Sequence, residues 1–151
     1  MSHYIVASSS GKCVDLSAGT SRATLEATAE TGFDLYAAYG ASHLDRGMSG
    51  SGGGVEVDRT RALEAYQEAL AWALTLARDT AGCEPPGFSA LSPADRAAVQ
   101  RLADALRAEG EGGPPESATV ERAREATAMI LEFTRWIAAQ SETGPVQIAF
   151  M

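Results

Sequence analysis

Residues 117–140 read SATVERAREATAMILEFTRWIAAQ, and this stretch decides the fold because it carries the longest uninterrupted helical period in the chain. Its apolar residues, together with two threonines, fall in two adjacent rows, one with Val120, Ala123, Thr127, Ile130, Thr134 and Ile137, the other with Ala126, Met129, Phe133 and Trp136. Two such rows are typical of a helix that buries one broad face in a core. Pro115 before the stretch and Gly144 after it bound the helix.

A second long helix is predicted to pack against this one. It starts at Asp58 or Thr60, continues to about Thr80, and ends before Gly82. Its predicted apolar face consists of Leu63, Tyr66, Leu70, Ala73, Leu74 and Ala77. A third helix is predicted from Ser92, where Ser-Pro followed by an acidic residue is the pattern of an N-cap and first turn.

The segment 17–32 carries signals for both strand and helix, and its alanines and glutamates favour a helix that stops at Gly32. The following segment, 33–44, also has apolar residues at helical spacing, with Asp34 near its start. We expect its aromatic residues to pack in or near the core.

Three short segments are predicted to be strands. Residues 3–7 and 12–16 are apolar or alternating and are separated by a turn signal, so they form a hairpin. Residues 146–151 form a third apolar run that needs burial. We therefore expect an α+β fold in one globular domain, 1–151, with a small antiparallel sheet from the N-terminal hairpin and the C-terminal strand packed on three or four helices.

The chain is acidic, with a formal net charge of -8 at pH 7. Nucleic acids and anionic membrane surfaces are bound through basic fields, so the charge argues against both. A basic or neutral protein partner suits it better. The opening residues lack the pattern of a signal peptide, and no apolar run is long enough to span a bilayer, so a cytoplasmic location is expected.

Cys13 and Cys83 form no CxxC pair, and no cluster of histidine and cysteine has the spacing of a zinc site. We therefore predict two ordinary thiols and no cofactor, although the cysteine count alone leaves a disulfide open.

The segment 46–57 is rich in glycine and is predicted to be a mobile surface loop. Candidate ligand-binding residues lie in and beside it. They are His43, Asp45, Arg46, Ser49 and Glu56. Asp45 and Glu56 have the spacing of the first and last ligands of a calcium-binding EF-hand loop, but Gly47 stands where that loop needs a side-chain oxygen. His43, Asp45 and Ser49 are the residue types of an acyl-transfer triad, but residues this close in sequence seldom align for it.

Trp72 is the remaining large side chain of interest, because it lies on the flank of its predicted helix. Such a tryptophan either anchors a protein partner or packs under the glycine-rich loop.

These features favour a small, acidic, non-catalytic protein-binding domain of the immunity or inhibitor type, because none of the candidate catalytic groups has the required pattern. The alternative is a small enzyme or a ligand- or metal-binding domain whose site lies under the glycine-rich loop at 45–56.

Overall fold

The computed structural model of the protein describes residues 5–16, 22–40, 54–77, 87–109 and 117–150. In chain order the elements are β1 (Ile5–Ser9), β2 (Lys12–Asp15), α1 (Arg22–Thr31), α2 (Leu35–Ala38), β3 (Gly54–Val57), α3 (Arg59–Ala77), α4 (Pro93–Glu109), α5 (Ser117–Gln140) and β4 (Val146–Phe150). A small antiparallel sheet is combined with helices, so the predicted α+β fold is confirmed.

The sheet has the strand order β2-β1-β4-β3, and all neighbours are antiparallel. β1 and β2 are joined by a tight turn in which Ser10 and Gly11 have φ values of 51° and 80°. Two consecutive positive φ values suit a tight hairpin connection, because they match the twist of the strands. β4 pairs with β1, with Ala7 opposite Ile148. The predicted pairing of the C-terminal strand with the N-terminal hairpin is therefore confirmed.

β3 was not predicted, since Gly54–Val57 lies at the end of the segment interpreted as a loop. Val55 pairs with Ile148 and Val57 with Val146, so two β-branched residues add to the apolar face of the sheet. The loop interpretation is wrong for these four residues, because their alternating pattern was obscured by the glycines before them. Residues 46–53 lie outside the described part of the chain.

The two faces of the sheet differ in character. Ile5, Ala7, Val57, Val146 and Ile148 point into the core and are at most 1% exposed. The other face carries a row of exposed side chains that crosses all four strands in register, formed by Cys13, Ser8, Gln147 and Glu56. One apolar and one polar face is the usual arrangement of an antiparallel sheet packed on helices.

The helices form the second layer. α3 packs against both α4 and α5, and α1 packs against α5. α5 has the predicted bounds, and its apolar rows supply much of the core. Thr134 fits into one of these rows because its buried hydroxyl donates to the carbonyl of Ile130 at 2.8 Å.

The predicted apolar face of α3 is partly wrong. Leu63 is 38% exposed, whereas Ala62, Ala65 and Ala69 are completely buried. A helix that presents alanines to its neighbours can approach them closely, because interaxial distance depends on the side chains at the contact. The spacing of the larger side chains does not locate the buried face alone, because Leu63 is exposed and Leu74 is half-buried while Leu70 is fully buried.

Local signals account for where the helices begin. The carboxylate of Asp58 accepts from the backbone N–H of Arg61 at 2.8 Å, and the hydroxyl of Ser92 accepts from the N–H of Asp95 at 3.2 Å. Both are N-cap contacts that satisfy helix-terminal donors. None of the helices in the described ranges combines the length and apolar composition needed to cross a bilayer.

Trp72 is fully buried, while Trp136 is only half-buried. The indole Nε1–H of Trp72 donates to Oγ1 of Thr31 at 2.8 Å, and this hydroxyl in turn donates to the carbonyl of Ala27 at 2.8 Å. The ring of Phe33 lies 5.7 Å from the Trp72 ring. Trp72 therefore connects α3 to the end of α1, and the interpretation of Trp72 as a surface anchor for a partner is wrong.

The Trp72–Thr31 hydrogen bond gives a prediction for stability. Thr31→Val keeps the shape of the side chain but leaves the buried indole N–H without an acceptor, so it should lower the free energy of unfolding by about 1–3 kcal/mol. Thr31→Ser retains the hydroxyl and is the matched control. Urea denaturation followed by tryptophan fluorescence measures both, and equal midpoints for the two variants would contradict the assignment.

Candidate functional site

Most of the predicted ligand-binding residues lie outside the described part of the chain. His43, Asp45, Arg46 and Ser49 are in this group, so their predicted roles stay predictions. Glu56 is described, and it is exposed on the polar face of the sheet beside Gln147. Within the described residues no group of three or more His, Cys, Asp or Glu side chains is arranged to hold a metal ion.

Cys13 is exposed on β2 and carries a free thiol. Cys83 lies outside the described residues.

A pocket of about 350 Å³ lies between the α1–α2 junction, α3 and α4. This volume is at the small end of the range for ligand sites, so it suits a small molecule or one side chain of a larger partner. Its lining residues come from three parts of the chain. They are Gly32, Phe33, Asp34, Ala37 and Ala38 from the junction and α2, Glu68 and Ala71 from α3, and Leu102, Ala105 and Leu106 from α4.

Gly32 shapes the wall formed by the α1–α2 junction. Its φ of +126° is in a region that L side chains rarely adopt, and it lets the chain reverse direction at the end of α1. A Cβ at this position would lie 3.4 Å from a methyl group of Leu106 and 3.7 Å from the Trp72 ring. Both distances are ordinary van der Waals contacts, so the positive φ and not a lack of space favours glycine at this junction.

Asp34 is the first of two carboxylates that line the pocket. Its Oδ1 accepts from the backbone N–H groups of Tyr36 and Ala37, at 3.1 and 3.3 Å, and so caps α2. α2 is short because Gly40, with a φ of +78°, follows it and ends the helix. Within the described residues, the helical spacing predicted for 33–44 therefore gives only this short helix. The cap holds the Asp34 carboxylate at one edge of the pocket.

Glu68 is the second carboxylate. It is half-buried on α3, and no described residue forms a hydrogen bond or an ion pair with it. Burial raises the pKa of Glu68, the charge of Arg61 on the same helix lowers it, and the charge of Glu64 raises it further. Burial has the largest effect, because removing a carboxylate from water disfavours its charged form.

The charge of the Glu68 carboxylate also acts on Tyr39. Its ring is buried and makes an edge-on contact with Phe133, with centroids 6.5 Å apart and planes at 80°. Among the described residues, its Oη is the one buried side-chain polar atom without a hydrogen-bond partner. Burial first and the charge of Glu68 second raise the pKa of the Tyr39 hydroxyl far above its ordinary value. The charge of the Glu68 carboxylate therefore acts on a buried hydroxyl that has no hydrogen-bond partner among the described residues.

A second, smaller pocket of about 250 Å³ lies between α1 and α5. Glu26, Glu30 and Arg122 contribute charges of both signs to it, beside small side chains such as Ala27 and Thr119. Mixed charge on an exposed helix surface is ordinary.

The first pocket combines apolar walls with two carboxylates. Apart from Asp34 and Glu68, the lining side chains in the described part of the chain are apolar. Apolar walls bury the carbon skeleton of a ligand, and a few fixed polar groups orient it. Two carboxylates accept hydrogen bonds and attract positive charge, so the pocket favours a cationic or donor-rich group.

Sequence reasoning missed both carboxylates as site residues. A signal for Glu68 is present, since it is three residues after Ala65 and four before Trp72 and so lies on the same side of the helix as two buried residues. An acidic residue at such a position is a candidate for function. The sequence places Asp34 near the start of a predicted helix. Its position beside α3 follows from tertiary packing and has no signal in the sequence.

A scan against protein-family models, a search of curated proteins and a search of solved structures each gave no match to the chain.

The raised pKa of Glu68 predicts how stability depends on pH. The charged form of Glu68 is disfavoured by folding, so Glu68→Gln should be more stable than the natural protein at about pH 7, and the difference should disappear as the pH falls below the ordinary pKa of a glutamate. Melting temperatures at about pH 7 and about pH 4 measure this.

Glu64→Gln is the matched control for this experiment, because the Glu64 side chain is 55% exposed and pairs loosely with Arg61 at 3.9 Å. It should change the melting temperature little at either pH. A Glu68→Gln protein that is less stable at neutral pH would show that the carboxylate is stabilised, not disfavoured, by its surroundings.

Proposed function

We propose that this chain is a small, acidic, non-catalytic binding domain of the immunity or inhibitor type. It acts in the cytoplasm on a basic or neutral protein partner and not on nucleic acid or membrane. The partner docks over the pocket between the α1–α2 junction, α3 and α4. The observation that carries this proposal is the lining of that pocket, where two carboxylates stand among apolar walls.

Charge supports the same type of partner. The chain has a formal net charge of -8, and the described residues of the pocket lining include two acids and no basic side chain. An acidic surface attracts basic proteins over long distances, and a local pocket then fixes how the two molecules fit. The net charge of the chain and the charge of the pocket lining therefore both favour a basic or neutral partner.

The mouth of the pocket offers exposed apolar surface as well. Leu102 is 36% exposed at the rim, and Ala105 beside it is also exposed. Apolar contacts with a rim of charge are a common arrangement in protein interfaces, where anchors enter pockets and charges surround them.

Blocking the pocket tests the proposal. Ala105→Trp places a large ring at the mouth from an exposed position on α4, so it should abolish capture of the partner from a native lysate of the source organism. Ala108→Trp adds the same ring at an exposed position on the same helix that does not line the pocket, and capture should persist.

Both variants should melt within a few degrees of the natural protein, because exposed substitutions usually change stability by about 0.5 kcal/mol or less. Affinity capture followed by mass spectrometry is the measurement. The same proteins retained by all three chains, or none retained by the natural protein in repeated experiments, would contradict the proposal.

A further inference from the structure

We infer that the pocket receives a single lysine or arginine side chain of the partner protein, with its cationic end against Glu68 and Asp34. This inference rests on the proposed function and specifies the group that is recognised. Three features of the pocket carry it, namely its walls, a carboxylate that has no hydrogen-bond or ion-pair partner among the described residues, and its size.

The walls match the stem of such a side chain. Ala37, Ala38, Ala71, Leu102 and Leu106 surround the space with methyl and methylene groups from three helices. Lysine and arginine bury their carbon stems along apolar surface while the charged end seeks a polar partner. A volume of about 350 Å³ accommodates one long side chain and does not require a whole segment of chain to enter.

Glu68 provides the charge partner. No described residue donates a hydrogen bond to its carboxylate, and Arg61 influences it only from the same helix, where it lies close enough to act through its charge. A half-buried carboxylate without a partner is disfavoured, and an incoming cation removes that penalty. The second carboxylate, Asp34, uses one oxygen for the cap of α2 and adds negative charge at the edge of the same space.

The elements packed around Glu68 give the site its dependence on pH. The segment of α2 contributes Asp34 and the hydroxyl of Tyr39, α3 contributes Arg61 and Glu64, and the lining residues from α4 are apolar. Binding of a cation needs Glu68 to be ionised. Because burial raises the pKa of Glu68, affinity should begin to fall at a higher pH than for a pair with an ordinary exposed glutamate.

Titration of the full ¹⁵N-labelled chain with N-acetyl-lysine N-methylamide tests the inference. The arginine derivative is the second cationic probe, and the norleucine derivative is the neutral probe with nearly the same stem. Both cationic probes should shift the backbone amide signals of Ala71 and Ala105 in a saturable way at concentrations up to about 20 mM, while the signal of Ser8 on the sheet stays in place. Norleucine should give no saturable shift.

Matched variants identify the carboxylate. Glu68→Gln should weaken binding of the lysine probe about tenfold or more, because a charge-assisted hydrogen bond is replaced by a neutral one. Glu64→Gln removes the same charge outside the pocket lining and should change binding less than about twofold. The inference is overturned if norleucine binds as tightly as lysine, if neither cation gives saturable shifts, or if Glu68→Gln binds like Glu64→Gln.

The two proposals fail in different ways. If Ala105→Trp loses capture of the partner but the natural protein shows no preference for the cationic probes, the proposed function stands and the inference is wrong. If the cationic probes bind through Glu68 but Ala105→Trp captures the partner as well as the natural protein does, the proposed function is wrong. The pocket is then a site for small cations only.

Discussion

The burial of Trp72 is the constraint on which the helical layer depends. An indole N–H inside a protein needs an acceptor, and Thr31 at the end of α1 provides it. Gly32 then allows the chain to turn at once, so that Phe33 covers the indole and Asp34 starts α2. The junction is thereby held against α3, and the walls of the pocket are positioned by packing and not by a loose loop.

The pocket then places polar groups where folding alone would not favour them. Glu68 is half-buried without a hydrogen-bond partner among the described residues, and the hydroxyl of Tyr39 is buried without one. Natural proteins keep such disfavoured groups where binding requires them, since stability and function select different side chains at a site. This is the physical link between the acidic composition of the chain and the proposal of a basic or neutral partner.

The sequence predicted those parts of the structure that are determined locally. The bounds of α5 and the cap residues Asp58 and Ser92 follow from periodicity and capping chemistry. β3 was missed because its two valines follow a run of glycines, and the buried face of α3 was misplaced because alanines were given less weight than leucines. The pocket could not be predicted, since it joins Asp34, Glu68 and Ala105 from segments that only tertiary packing brings together.

The pairing of β1 with β4 has a consequence for how the molecule is made. Ile5 lies opposite Phe150, so a central pair of the sheet joins residues from nearly the whole length of the chain. Contacts between residues so distant in sequence form late, because a long loop must close before they contribute. During synthesis the helices can therefore collapse early, while β1 has to wait for β4 to leave the ribosome. A chaperone that shields the unpaired edge of β1 meanwhile would raise the yield of folded protein.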